Sequence, residues 1–452
     1  MKNDLTTGSI TIKLLAFAFP LMLGNLFQQF YNLADTFIVG KFIGNNALAA
    51  VGSAYTLMTF ITSIILGLAM GSGAYFSIQF GRGDYDSMKR GIFQSFIFIG
   101  ILTLIINIGV YIFMFPIIRF LNIPPEVSDY IRTYLTVIYL GLFATFLYNF
   151  FASLLRAVGN SKVPLMFLSA SVILNVVLDI LFVAVIRLGV HGAALATIVS
   201  QYVSGIGLTV YTLKKFPELK PQARHMDLDL SALASILSLS LLTCLQQSIM
   251  NFGILMVQGL VNSFGPAVMA AFTIAVKIDT LAYMPVQDFG NAFSTFVAQN
   301  YGAGKFDRIR RGFISSAILV LVFCIIVSLL VVAFSEPLMA VFTDKTEDPD
   351  RTAEVIQIGA EYLKIEGSFY FGIGFLFMFY GYYRAINRPG ISVILTIASL
   401  GTRVALAYYL SGLSLIGVFG IWVSIPIGWI LADIIGVLFL FITRRSAEHS
   451  YA

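Results

Sequence analysis

Two aspartates lie within long apolar stretches of this chain, each accompanied by side-chain amides at helical spacing. Asp35 follows Gln28 by seven residues and Asn32 by three, and Asp179 follows Asn175 by four. In a helix, residues three, four and seven apart lie on one face. Burial in a low-dielectric interior favours the protonated form of a carboxyl group, so aspartates in such a setting can bind protons.

The same polar atoms offer a second chemistry. A third apolar stretch carries Thr197 and Gln201, four apart. Carboxylate, amide and hydroxyl oxygens are hard ligands, which suit Na⁺. If the three stretches line one cavity, H⁺ or Na⁺ is expected to bind at Asp35, Asn175, Asp179 and Thr197. The alternatives without ion binding are an interfacial position for Asp35 and helix–helix hydrogen bonds for Asn175, Asp179 and Thr197.

The second half of the chain carries a different polar set. We expect its members Gln247, Asn251, Asp279 and Glu366 to line a substrate cavity together with Gln28, Asn32 and Gln201. Ionisable groups in membrane spans are costly and usually functional. The competing interpretation is that opposite charges among Lys277, Asp279 and Arg403 simply neutralise one another.

No other chemistry is apparent. Gly302-Ala-Gly-Lys305 lacks the spacing and the following hydroxyl residue of a phosphate-binding loop, which leaves an ATP-driven pump unsupported. The three histidines are scattered, and Cys244 and Cys324 lie in apolar runs. A polytopic membrane enzyme would need a His, Cys or metal constellation. We therefore expect no catalysis, no cofactor beyond a bound H⁺ or Na⁺, and no nucleic-acid partner.

The amino-acid composition indicates that this chain is surrounded by lipid. Of its 452 residues, 58% are hydrophobic and 11% are charged, and the mean hydropathy is +0.89. Soluble domains carry about 25% charged residues. A surface this poor in charge is suited to lipid.

Hydropathy predicts twelve membrane-spanning helices, an all-α fold. A span needs about 20 mostly apolar residues, and Pro20 should bend the first one. The predicted spans, numbered 1 to 12, are 10–39, 48–79, 92–118, 128–156, 163–186, 191–213, 231–262, 267–300, 312–334, 353–384, 391–411 and 417–443.

Positive charge predicts the orientation of these spans. Most of the 28 Lys and Arg residues lie at the two ends of the chain and in the even-numbered loops, whereas the loop after span 9 is acidic, with Asp344, Glu347, Asp348 and Asp350. Basic loops stay in the cytoplasm. Both termini are therefore expected to be cytoplasmic, which requires an even number of spans and agrees with the predicted twelve.

The chain contains an internal repeat. Residues 81–91, GRGDYDSMKRG, match residues 302–312, GAGKFDRIRRG, at an offset of 221. After the acidic loop the offset becomes 228 and pairs Arg156-Ala157 with Arg384-Ala385. Six spans per half make this a parallel repeat, as in transporters whose two lobes rock about a midplane site. We predict two pseudo-symmetric six-helix lobes, 1–213 and 231–452, joined by a cytoplasmic linker, 214–230.

Together these motifs resemble the multidrug and toxin extrusion (MATE) family. The resemblance rests on the repeated glycine–arginine loop, on Arg156–Pro164 (RAVGNSKVP), on Gly189–Thr197 (GVHGAALAT) and on the two-lobe plan, and it covers essentially the whole chain. The sequence is most similar to the DinF and MepA branch. That branch has an aspartate fifteen residues after the bending proline of span 1, an Asn-x-x-x-Asp pair on span 5 and a threonine on span 6. The positions are tied to cation coupling in the family, and here they are Asp35, Asn175, Asp179 and Thr197. The NorM branch instead uses a glutamate on span 7, which carries no acid in this chain.

The resemblance implies an antiporter in the cell membrane of a prokaryote that exports cationic or amphipathic organic compounds, including drugs, in exchange for H⁺ or Na⁺. Its partners would be these compounds and membrane lipid, with the protein itself a monomer. The alternative is a lipid-linked saccharide flippase of the same broader superfamily. A flippase should have a strongly cationic cavity for phosphate groups, whereas the first half here is acidic and neutral-polar.

Overall fold

The computed structural model describes residues 4–120, 125–343 and 349–450, and its regular elements in these ranges are all helical. Within the acidic loop, Asp344, Glu347 and Asp348 lie outside the described residues. The α-helices are α1 (Ile10–Phe42), α2 (Asn45–Arg82), α3 (Tyr85–Phe120), α4 (Pro125–Ile138), α5 (Leu142–Ala157), α6 (Lys162–Asp179), α7 (Gly189–Lys215), α8 (Leu230–Asn262), α9 (Pro266–Gly302), α10 (Phe306–Ala333), α11 (Ser335–Phe342), α12 (Pro349–Gly367), α13 (Tyr370–Ala385), α14 (Pro389–Ser411) and α15 (Phe419–Ser450).

These helices match the twelve predicted spans. Among the described residues, eleven helical stretches are long and apolar enough to cross a membrane. Predicted span 10 differs because it is divided into α12 and α13, and neither piece is a long apolar helix. Helix α1 runs through Pro20 without interruption. Many apolar side chains along α3 and α10 are exposed, as expected where lipid is the solvent.

The division of span 10 has a counterpart in the first half. Span 4 consists of α4, a tight 3₁₀ turn at Tyr139–Gly141, and α5. At the offset of 228, Tyr139–Gly141 corresponds to Gly367–Phe369, which is where α12 gives way to α13. Helices α5 and α13 then begin and end at equivalent residues. The repeat therefore extends to the position of the helix breaks.

The chain forms two compact units. Unit 1 contains the residues up to Gly8, Leu15–Cys244 and Ala298–Lys305. Unit 2 contains Ser9–Leu14, Leu245–Val297 and the chain from Phe306 onward. Unit 1 thus includes the predicted linker, the start of α8 and the end of α9.

Small residues let helices approach closely within unit 1. A Cβ added at Gly71 on α2 would lie 2.5 Å from the Cα of Ser240 on α8. The hydroxyls of Ser72 and Ser240 are 2.9 Å apart. Membrane helices rely on such small residues because lipid removes the hydrophobic drive for association.

The end of α9 contacts the end of α2 reciprocally within unit 1. A Cβ at Gly81 would fall on the carbonyl oxygen of Gln299, and one at Gly302 on the carbonyl oxygen of Ile78. The repeat offset of 221 maps Gly81 onto Gly302 and Ile78 onto Gln299, so each of these contacts is the repeat equivalent of the other. Gln299 also accepts a hydrogen bond from the Leu5 amide at 3.0 Å and donates to the Ala157 carbonyl at 2.8 Å.

The linker between α7 and α8 is docked on the start of α3. His225 is buried, and its Nε2 lies 2.8 Å from Asp86 Oδ1. Its Nδ1 accepts a hydrogen bond from the Gln222 amide at 3.0 Å, so Nε2 is the donor towards Asp86 when the ring is neutral. Arg224 also contacts Asp86, at 3.2 Å. We call this group, His225, Arg224 and Asp86, the linker clasp.

Candidate ion-coupling site

Helices α1, α6 and α7 bring two of the predicted coupling residues, Asn175 and Thr197, together with Tyr31 into one polar cluster of unit 1. Asn175 Nδ2 on α6 lies 3.4 Å from Thr197 Oγ1 on α7. Tyr31 on α1 places its hydroxyl 3.2 Å from the same oxygen. Thr197 itself donates to the Ala193 carbonyl at 3.1 Å. Since a hydroxyl has one hydrogen, Thr197 accepts from both Asn175 and Tyr31.

The two aspartates adjoin this cluster. Asp179 lies one helical turn from Asn175 on α6, and Asp35 one turn from Tyr31 on α1. The two carboxylates interact electrostatically with each other and with Tyr31. Asp35 is 7% exposed and Asp179 is fully buried.

Several oxygens of this cluster have no hydrogen-bond partner among the described residues. They are Asp35 Oδ1, both carboxyl oxygens of Asp179, and Asn175 Oδ1. A buried carboxylate without a donor or a counter-charge is very unfavourable, so it must either take up a proton or be neutralised by a cation. The unpartnered oxygens of this cluster are therefore compatible with either event.

The same oxygens suit Na⁺ in chemical type. Two carboxylates and an amide oxygen are hard ligands without competing donors. Thr197 differs, because both of its acceptor positions are already used by Asn175 and Tyr31. For Na⁺ to reach the Thr197 oxygen, one of these donors would have to move away, whereas protonation of Asp35 or Asp179 needs no such change.

Two tyrosines of this cluster were missed by the sequence analysis. Tyr31 contacts Thr197, and Tyr134 on α4 interacts electrostatically with Asp35 and Asp179. Tyr31 precedes Asp35 by four residues, so its position on the same face of α1 was readable from spacing. Tyr134 carried no such signal, because its helix meets α1 only through tertiary packing.

The predicted cavity residues of unit 1 lie around the cluster with differing exposure. Gln28 is exposed, whereas Asn32 and Gln201 are half-buried. Asn32 donates to the Tyr55 hydroxyl at 3.4 Å. Gln201 Oε1 is buried without a hydrogen-bond partner in the described part of the chain. These side chains retain polar atoms available to a ligand.

The predicted cavity residues of unit 2 fall into two groups. Gln247 and Asn251 are half-buried on α8. Asp279 and Glu366 are 4% and 1% exposed, in a closed cluster where Asp279 accepts hydrogen bonds from Tyr370 and, at 3.3 Å, from Tyr362. Glu366 and Arg403 both lie close enough to Asp279 to interact with it electrostatically. Lys277 is exposed and forms no ion pair with described residues, so it does not neutralise Asp279.

Comparison with known proteins gives one consistent result. The model of the MatE family matches residues 20–181 and 239–409. A probable multidrug resistance protein of Bacillus subtilis, YpnP, is 29% identical over 84% of each chain. A FAD transporter of Shewanella oneidensis is 25% identical over 99% of this chain and 97% of its own.

A solved structure shares the fold. A crystal structure of a MATE protein in its bent conformation aligns with a TM-score of 0.90 at 23% identity, covering 98% of this chain and 97% of the other. This likeness confirms the predicted twelve-span, two-lobe architecture.

Proposed function

Because this chain belongs to the MatE family of multidrug efflux transporters, we propose that it exchanges H⁺ or Na⁺ for cationic or amphipathic organic compounds. The observation that carries the proposal is the set of buried, unpartnered carboxyl oxygens on Asp35 and Asp179. Asn175 and Thr197 complete the proposed coupling site. No catalytic step is involved.

Competition for negative charge would couple the two fluxes. While the carboxylates are ionised, they attract a cationic compound in the cavity. Binding of H⁺ or Na⁺ removes that charge and weakens the hold on the compound. Since each ligand lowers the affinity for the other by the same factor, entry of the ion drives release of the compound. Each charge moved down the membrane potential supplies about 2.3 kcal/mol per 100 mV.

The proposed substrate path uses the remaining polar side chains. Gln28, Asn32 and Gln201 would contact the compound in the first half, and Gln247 and Asn251 in the second. Asp279 and Glu366 would take part only in a state that opens their closed cluster. We further propose that the protein works as a monomer in the prokaryotic cell membrane, with both termini in the cytoplasm, where the basic loops lie.

Transport in proteoliposomes tests the proposal. Vesicles loaded with a fluorescent organic cation should release it when an inward H⁺ or Na⁺ gradient is applied, and applying each gradient alone identifies the ion. Asp35→Asn and Asp179→Asn should each reduce gradient-driven release at least about tenfold, whereas the exposed Asp129→Asn should not. Full gradient-driven release by both site variants would refute this coupling site.

The same vesicles distinguish the substrate class. Since one relative is named a FAD transporter, FAD provides an anionic comparison compound. Gradient-driven movement of FAD without movement of the organic cation would overturn the proposed substrate class. The coupling site would then be tested separately, by comparing FAD transport in the wild type and in the Asp35 and Asp179 variants.

A further inference from the structure

A cavity of about 430 Å³ lies at the beginning of α10, wholly within unit 2, and shares no residue with the proposed coupling site. It is formed where Ser9–Leu14, at the start of α1, packs on α10. Its lining residues are Thr11, Arg311, Ile314, Ser315, Ile318 and Leu319. The transport mechanism proposed above uses none of them.

The polar end of this cavity has unused hydrogen-bond donors. Thr11 Oγ1 and Ser315 Oγ are 2.8 Å apart, and either can donate to the other. Because one hydrogen serves that bond, the second hydroxyl hydrogen has no acceptor among the described residues. Arg311 is exposed and forms no ion pair in the described ranges, although Asp307 lies one turn away on α10. Guanidinium and hydroxyl donors thus face the same space.

The other end is an apolar track. Ile314 and Ile318 are 53% and 57% exposed. Above them, Val322, Ile325 and Leu329 continue the same face of α10 at intervals of three and four residues, all exposed. The cavity therefore has a cationic head and an apolar extension along a membrane-spanning helix.

We propose that this cavity binds one anionic phospholipid. Its phosphate would accept hydrogen bonds from the Arg311 guanidinium and the free hydroxyl, and one acyl chain would lie against Ile314 and Ile318. Arginine presents a fork of donors that matches phosphate oxygens. The surrounding charge is basic, with Lys13, Arg308 and Arg310 outnumbering Asp307, which favours an anionic over a zwitterionic head group and disfavours a cationic drug.

Native mass spectrometry of the detergent-purified protein tests this site, with phosphatidylglycerol and phosphatidylethanolamine of identical acyl chains as probes. The wild type should retain phosphatidylglycerol preferentially. Arg311→Gln should weaken its retention about fivefold. Arg310→Gln is the matched control, because adjacent helical residues point about 100° apart. Ile318→Trp, which keeps every charge but fills the apolar track, should also weaken retention.

Three results would overturn the proposal. One is equal retention of the two lipids by the wild type. Another is an equal loss in the Arg311 and Arg310 variants, which would mean nonspecific attraction. The third is displacement of the lipid by inorganic phosphate at matched concentration, which would make the site one for a free anion.

Discussion

Thr197 connects α1, α6 and α7 of unit 1 through a single hydroxyl oxygen. That oxygen accepts from Asn175 and Tyr31 and donates to Ala193. The hydroxyl thereby holds the Asn175 amide nitrogen, which leaves the Asn175 carbonyl oxygen unpartnered beside Asp179. We infer that this hydroxyl orients the Asn175 side chain in the proposed coupling site.

Removal of this hydroxyl should loosen ion binding without removing a carboxylate. We expect Thr197→Val to lower the apparent affinity for the coupling ion about fivefold, as loss of about 1 kcal/mol implies, and Thr197→Ser to retain it. Gradient-driven transport at a series of ion concentrations measures this. Thr209→Val is the control, because the Thr209 hydroxyl bonds only to the Gly205 carbonyl of its own helix. Equal effects of the two valine variants would contradict the assigned role.

In unit 2, the Tyr370 hydroxyl satisfies the buried carboxylate of Asp279. Tyr370→Phe should leave that oxygen without one of its donors and cost about 1–3 kcal/mol of stability. Thermal unfolding in detergent should therefore shift to lower temperature. Tyr408→Phe, at an exposed position on α14, should leave the transition unchanged. An unshifted transition for Tyr370→Phe would show that the hydroxyl is dispensable.

At the scale of elements, spacing along single helices was the most informative part of the sequence. It placed Asn175 and Asp179 on one face of α6, and the repeat aligned the two halves. The division of span 10 was not foreseen, because Ser368 and Phe369 interrupt the helix without a proline. The tyrosines around Asp279 and the linker clasp depend on contacts between residues far apart in sequence, which periodicity does not contain.

The linker clasp gives a prediction at this scale. Asp86→Asn should weaken the hold on His225 and Arg224 and expose the linker, so that trypsin cleaves faster after Lys214, Lys215 or Arg224. Asp307 occupies the equivalent position in the second repeat and has no linker against it, so Asp307→Asn should leave the cleavage rate unchanged. Identical rates for both variants and the wild type would show that the clasp does not restrain the linker.

At the scale of the whole molecule, the ends of α2 and α9 form a close backbone contact that the repeat makes twice. Gly81→Val and Gly302→Val should destabilise the protein to a similar extent, by about 1–3 kcal/mol or more, because each side chain would displace a backbone carbonyl. Thermal unfolding measures this. Gly109→Val is the control, since a Cβ there meets nothing within 4 Å. A large effect of only one of the two variants would contradict the reciprocity of the contact.

Reciprocity of this kind has a meaning for the history of the chain. Gly81 against Gln299 and Ile78 against Gly302 are one contact made twice, with the partners exchanged. Two identical subunits related by a twofold axis form such self-complementary contacts. The pairing is what a gene duplication would leave behind if an ancestral homodimer of half-length chains had been fused. At the repeat offsets, Met256 and Ala407 occupy the positions that correspond to Asp35 and Asp179. On this view the two halves diverged in chemistry while the contact between α2 and α9 kept the symmetry.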